Sequence, residues 1–253
     1  MLRIQGLARQ FGGVYAVRNL SLSIDEGELR GLIGPNGAGK STLFNLISGH
    51  LAADAGVITF KGKPIQALAP HERARRGIAI VFQGARLFRG MTVRENVMVG
   101  AHARTRQGFL AAALRLRSQR REEAEIGASA DRALESVGLS DWADRAAEAL
   151  PLGQQRSLQV ARALCANPAL LLLDEPASGL RAAEREVLAQ LLEKLRSAGL
   201  MMILIEHDVP FVARLVDRIS VLHLGELIAE GSAAEVRSNK AVVDAYLGRS
   251  TEK

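Results

Sequence analysis

Apolar residues in the first third of the chain fall at alternate positions. In "NLSLSIDEGELRGLI", Leu20, Leu22 and Ile24 alternate with polar residues, the pattern breaks at Glu26-Gly27, and it resumes at Leu29. A period of two marks a half-buried strand. "GVITFKGKPI" (56–65) predicts a hairpin, and "GIAIVFQ" (77–83) a short apolar strand ending in a polar residue. The period then changes. From about residue 91 to 149 Ala, Leu, Arg and Glu dominate and no β-branched run occurs. "RALESVGL" carries a helical stripe at Leu134 and Val137, with Gly138 placed as a C-cap. This block is expected to be mostly helical. Within it, "ARTRQGFLAAALRLRSQRREEAE" reads equally as an amphipathic helix or a mobile insertion. Helices and strands then alternate: helix 154–166, strand 169–173, helix 182–197, strand 201–205, helix 209–215, strand 219–223, and a terminal hairpin in "RISVLHLGELIAEGS". Such alternation predicts an α/β fold with a parallel sheet and crossover helices.

Composition narrows the picture. At 253 residues the chain can bury a full core. Its longest apolar runs, "LLLL" (170–173) and "LMMILI" (200–205), have strand length and fall far short of the roughly 18 residues of a membrane helix. The N-terminus lacks the apolar core of a secretory signal, so a cytoplasmic location is expected. The single cysteine, Cys165, excludes an internal disulfide and sits on a helix face suited to packing. Part of the net charge of +6 comes from Arg104, Arg106, Arg115, Arg117, Arg120 and Arg121. These fit a solvated helical face or one near an anionic membrane surface. Phe109 is the only aromatic near them, so the stacking residues of a nucleic-acid reader are missing and no nucleic-acid partner is expected.

"GLIGPNGAGKST" (31–42) fits G-x-x-x-x-G-K-[ST] between an apolar strand and a helical segment. Its loop residues Gly34, Pro35, Asn36, Gly37, Ala38 and Gly39 would curl the backbone around phosphate oxygens, ahead of a helix N-terminus that includes Thr42. Lys40 would meet the β- and γ-phosphates, and the Ser41 hydroxyl would ligate Mg²⁺. "ALLLLDEP" (169–176) is a buried strand ending in two acids. In this topology the strand end lies beside the phosphate loop. Asp174 is expected to hold Mg²⁺ through water, and Glu175 to orient and polarise the attacking water. Gln83 and His207 end two further strands on the same edge.

The order of phosphate loop, strand-end Gln, helical block, "GQQR" helix, "LLLLDEP" and strand-end His resembles an ATP-binding cassette (ABC) ATPase over almost the whole chain. "FGGVYAVRNLSLSI", "FQGARLFRGMTVRENVMVGAH" and "GELIAEGSAAEVRSNKAVVDAYLG" resemble the ATP-binding subunits of branched-chain amino acid importers. The resemblance implies a P-loop NTPase fold with an N-terminal antiparallel piece, a parallel core sheet and an inserted helical subdomain. It implies one ABC ATPase domain over 1–250, with 1–86 and 151–250 as nucleotide-binding core and about 87–150 as helical subdomain. It further implies that Phe11 stacks on adenine, with Tyr15 a second candidate, and that His207 contacts the γ-phosphate. Gln83 would join Mg²⁺ and the attacking water to the helical subdomain. Gly153 and Gln154 would face the ATP of a second ABC ATPase subunit. The expected partners are ATP, Mg²⁺, transmembrane permease subunits and, indirectly, a periplasmic or extracellular binding protein, placing the chain on the cytoplasmic face of the membrane. The expected function is the ATP-hydrolysing subunit of an importer for branched-chain amino acids or related small amino acids and amides; the alternatives are another cargo, such as urea or lipid-type export, and a soluble ABC ATPase outside transport.

Two departures stand out. The family signature reads Leu-Ser-Gly-Gly-Gln, often with an aromatic for the first glycine in the importer subgroup; here it is Leu150-Pro151-Leu152-Gly153-Gln154. Losing one hydroxyl donor to a charged acceptor costs about 1.5–3 kcal/mol. After the carboxylates the family reads Ser-Gly-Leu-Asp, and this chain has Ser178-Gly179-Leu180-Arg181. Both changes lie on surfaces offered to the other subunit, which points to a heterodimer with a paralogue carrying the fuller signature.

Overall fold

The computed structural model describes residues 1–84, 87–104 and 117–247. The period-two segments form an antiparallel sheet of β1 (Leu2–Phe11), β2 (Val14–Ile24), β4 (Ala55–Phe60) and β5 (Lys63–Pro64), ordered β2-β1-β4-β5. Along β2, Val17, Leu20, Leu22 and Ile24 are buried while Ser21 and Ser23 face solvent, as expected of a sheet with one wet face. The chain then leaves this sheet at the Glu26-Gly27 turn. Strand β3 (Leu29–Ile33) is buried at every position and enters the second sheet.

That sheet has six strands: β10 (Glu226–Gly231), β9 (Arg218–His223), β3, β8 (Met201–Ile205), β7 (Leu170–Asp174) and β6 (Ile78–Val81), in that order. The five strands from β9 to β6 are parallel, and β10 is an antiparallel edge. Runs such as Leu170–Leu173 carry no alternation because helices cover both faces. Arg30 is buried within β3 at 1% exposure. It is paired with Glu28 (2.5 Å) and Glu230 (3.0 Å) and donates to Ser220 Oγ and the Ser23 carbonyl, which ties β3 to β9, β10 and β2.

The helices among the described residues are α1 (Lys40–Ser48), α2 (Pro70–Arg75), α3 (Val93–Met98), α4 (Arg117–Ser136), α5 (Leu152–Cys165), α6 (Ala182–Ser197), α7 (Val209–Leu215), α8 (Ala233–Ser238) and α9 (Lys240–Leu247). Arg73 on α2 donates to the Leu46 and Ile47 carbonyls at 2.5 and 2.8 Å. A buried cation therefore closes the C-terminus of α1, where orphan carbonyls and the helix dipole favour it. Helix α4 ends as the sequence predicts: Gly138 has φ +71°, and the Leu139 amide returns to the Leu134 carbonyl at 2.9 Å. Of the arginine-rich segment, residues 105–116 lie outside the described residues.

Val93, Val97, Ala130, Leu134 and Leu150 build an apolar cluster apart from the two sheets. Helix α5 belongs to two cores. Leu158, Ala161 and Cys165 enter the helical cluster, while Val160 and Ala163 pack with the sheet. Cys165 is buried, as packing predicts.

Candidate functional site

The phosphate-loop segment joins the end of β3 to the start of α1. Gly34 has φ +151°, and a Cβ there would lie 2.1 Å from the Leu222 carbonyl oxygen. Gly39 has φ +102°, and its Cβ would lie 2.2 Å from the Ala16 carbonyl oxygen. The backbone therefore passes where no side chain fits. The buried Lys40 turns its Nζ into the loop and donates to the carbonyls of Gly34 (2.7 Å) and Pro35 (3.1 Å). The Ala38 amide donates to the Pro35 carbonyl at 3.1 Å, and the Ala38 carbonyl accepts from Gly225 at 3.0 Å. The first α1 bond runs from Leu43 to Gly39 (2.9 Å), leaving the first turn, Lys40, Ser41 and Thr42, at the dipole-positive end of the helix. Asn36, Gly37 and Ser41 are exposed.

The β1–β2 hairpin borders this loop through Ala16. Phe11 and Tyr15 are both about half exposed, with Arg9 over the Phe11 ring at 4.8 Å and Arg18 over Tyr15 at 5.6 Å. Both aromatics remain candidates for a base-stacking face.

Three adjacent strands, β6, β7 and β8, bring their C-terminal ends to one carboxylate. Glu175 follows β7 with φ +47°. Its Oε2 accepts from Gln83 Nε2 at 2.6 Å, and its Oε1 lies 2.6 Å from His207 Nε2. Gln83 and His207 each sit two residues past the strand they were expected to terminate, since β6 stops at Val81 and β8 at Ile205. That extra length lets both side chains turn back over Glu175.

Asp174 ends β7 half-buried. Burial first, and then the Glu175 charge, push its carboxyl above the ordinary aspartate range; His207 and Lys40 pull the other way. The hydroxyl of Ser41, the carboxylate of Asp174 and the amide oxygen of Gln83 are hard oxygen donors, a set that fits Mg²⁺. The raised pKa carries a sign for stability. The folded state binds the proton more readily than the unfolded chain, so ionised Asp174 opposes folding once pH rises above its unfolded value of about 3.9. Asp174→Asn should therefore melt higher than the unaltered chain at neutral pH without nucleotide or divalent cation. The gap should close as pH falls towards that value. Thermal melts across the acid range check this, and a gap that widens on acidification contradicts it.

Helix α5 begins at Leu152, two residues earlier than the sequence pattern predicts, because Pro151 takes the N-cap position with φ −56° and ψ 156°. The first bond runs from Gln155 to the Pro151 carbonyl at 2.9 Å. Gly153 and Gln154 thus lie inside the first turn, an anion-favouring helix end. Pro151 and Leu152 are exposed. A Cβ on Gly153 would come within 2.8 Å of Glu184 Oε1 on α6.

Arg181 is exposed at the N-cap of α6, where its amide donates to Glu184 Oε2 at 2.8 Å, while its own side chain supplies no acceptor. Arg181→Asp should restore the missing cap and raise stability by about 0.5–2 kcal/mol. Urea unfolding measures it, and a loss of stability argues against this account of the position.

Three site residues escape sequence reasoning. Arg156, on the second turn of α5, donates to the Gln83 carbonyl and, at 3.3 Å, to the Ser178 carbonyl. Gln159 donates to the Gly84 carbonyl at 2.7 Å. Glu206 is buried and accepts from the Ala177 amide at 2.7 Å. Burial drives its carboxyl upward, against the amides of Ala177 and His207. The available signal was their polarity within otherwise apolar segments, "RSLQVARAL" and "MMILIEHD".

The ABC transporter family profile matches residues 17–178, and that of the branched-chain amino acid ATP-binding cassette transporter matches residues 226–251. The high-affinity branched-chain amino acid transport ATP-binding protein BraF of Pseudomonas aeruginosa is 41% identical over 249 residues, covering 98% of each chain. A solved ATP-binding cassette of an ABC transporter in its ADP conformation superposes with a TM-score of 0.85 at 31% identity, covering 98% of both chains. A dimeric cassette in a post-hydrolysis state, bound to ADP and phosphate, superposes with a TM-score of 0.73 at 29% identity over 92% of this chain and 99% of the other.

Proposed function

The chain belongs to the ABC transporter family, and from that premise we propose that it is the ATP-hydrolysing subunit of a membrane importer for branched-chain amino acids or related small amides. The observation that carries the reading is Glu175, held between Gln83 and His207 at one sheet edge. The phosphate loop and Lys40 bind the β- and γ-phosphates, and Phe11 or Tyr15 stacks on adenine. Glu175 orients the attacking water and takes its proton, while His207 steadies that carboxylate and the γ-phosphate. Ser41, Asp174 and Gln83 would hold Mg²⁺, which supplies charge neutralisation at the phosphates. The full set of loop lysine, strand-end acid and its two partners supports an active enzyme.

Residues 1–86 and 151–250 form the nucleotide-binding core in this reading, and about 87–150 form the helical lever that meets the permease. The apolar cluster centred on 93–150, which helix α5 joins from the core side, supports that division. Among the described residues no helix is long and apolar enough to cross a membrane, which fits a peripheral subunit on the cytoplasmic face. Two cassettes face head to tail, each ATP lying between one phosphate loop and the other chain's signature. ATP favours the closed dimer by binding it more tightly than the open one. Permease subunits convert closure into uptake of cargo delivered by a periplasmic or extracellular binding protein.

Pro151 and Arg181 support a paralogous partner, because each alters a surface offered to the neighbour. ATPase assays on the chain alone and mixed with its paralogue test this pairing. The mixture should hydrolyse faster. An isolated chain that dimerises and works at the same rate contradicts the heterodimer.

A further inference from the structure

We propose that Arg156 is a positioning residue that carries the state of the neighbouring subunit's nucleotide into this chain's own hydrolytic site. The inference rests on the head-to-tail dimer described above. The N-terminus of α5, residues 152–154, is the segment offered to the neighbour's ATP. One turn further along the same helix, Arg156 is only 8% exposed. It holds two loops by their carbonyl oxygens. One is Gln83, whose side chain grips Glu175 Oε2 at 2.6 Å. The other is Ser178, whose amide returns to the Glu175 carbonyl at 3.1 Å. Gln159, three residues on, adds a second tie to the Gln83 loop through Gly84 at 2.7 Å.

Glu175 is therefore held from both sides by groups that the guanidinium holds in turn. A shift of α5 towards the neighbour's phosphates must move both loops or break these bonds. The Nε of Arg156 is buried and has no hydrogen-bond partner among the described residues. The guanidinium thus retains an unmet donor, whose pairing in a shifted position would favour the movement. The path is a contiguous set of hydrogen bonds on a rigid helix, the physical form that coupling between two sites requires. Lysine is a poor replacement, because the guanidinium reaches the two loops from two separate nitrogens, Nη1 to Gln83 and Nη2 to Ser178, where an ammonium offers a single nitrogen.

Arg156→Lys and Arg156→Gln, prepared in the complex with the paralogous subunit, test the proposal. Both should bind ATP and pair with the neighbour as the unaltered chain does. Their kcat should fall about 2- to 30-fold with KM held. Amide hydrogen exchange adds a readout that a purely structural role would not move. Pairing should protect residues 83–84 and 177–178 in the unaltered chain and fail to do so in the variants. Should the Arg156 variants not fold, Gln159→Met, which removes the Gly84 tie and the oxygen that accepts from Arg156 at 3.3 Å but keeps the guanidinium on both loop carbonyls, should show a smaller change of the same kind. Variants that pair and keep both kcat and loop protection overturn the proposal. An unaltered chain that never pairs in ATP overturns the dimer reading first, and this proposal with it.

Discussion

Glu175→Gln should lower ATP turnover by about 10²–10⁴-fold, the range for losing a positioned general base, while ATP binding persists. The substitution is close to isosteric. Gln83 can still donate to the remaining amide oxygen, and the loop that grips phosphate lies on different elements, β3 and α1. What disappears is the carboxylate that, at the convergence of β6, β7 and β8, can accept a proton from water while bonded to both Gln83 and His207. In the head-to-tail dimer proposed above, hydrolysis releases the closed pair, so the variant should also accumulate as a nucleotide-bound pair. Turnover measured beside nucleotide retention on a sizing column separates the two effects. Undiminished turnover would remove Glu175 from the chemistry.

Lys40→Met should weaken ATP binding by about 10- to 150-fold, the equivalent of roughly 1.5–3 kcal/mol for a hydrogen bond to a charged group. Methionine keeps an unbranched apolar stem in the buried site and removes the ammonium. The loss acts twice. The β- and γ-phosphates lose their cation, and the Gly34 and Pro35 carbonyls lose the donor that gathers them at 2.7 and 3.1 Å. Equilibrium binding of a fluorescent ATP analogue measures the first effect. Proteolysis around residues 34–39 without nucleotide measures the second. Unchanged affinity would place the phosphates elsewhere.

The parts of this site that sequence predicts are local. The phosphate-loop motif spans eight consecutive residues, 34–41, whose glycines, lysine and serine each answer a need of bound phosphate. The strand end at Asp174 follows from an apolar run that stops at a polar residue, and the same rule brings Gln83 and His207 to within two residues of the ends of β6 and β8. The strand order was not legible, because β3 lies between β8 and β9, elements more than 160 residues away in the chain. The split at Glu26-Gly27 was equally hidden: a turn between two apolar runs looks alike whether the runs pair or part into separate sheets. Arg156 and Gln159 stayed unseen for the same reason. Their carbonyl partners, Gln83 and Gly84, are 73 and 75 residues distant. No spacing rule reaches that far. The early start of α5 is a case of local chemistry overriding pattern, since Pro151 fixes the backbone at the helix entrance before the apolar period begins.

The most direct measurement is ATP hydrolysis by the whole assembly in lipid vesicles, with permease, paralogous cassette and binding protein. Leucine, isoleucine or valine on the binding protein should stimulate turnover, and Glu175→Gln in this chain should abolish the stimulated part. Turnover indifferent to those amino acids, yet stimulated by urea or a lipid substrate, would contradict the account.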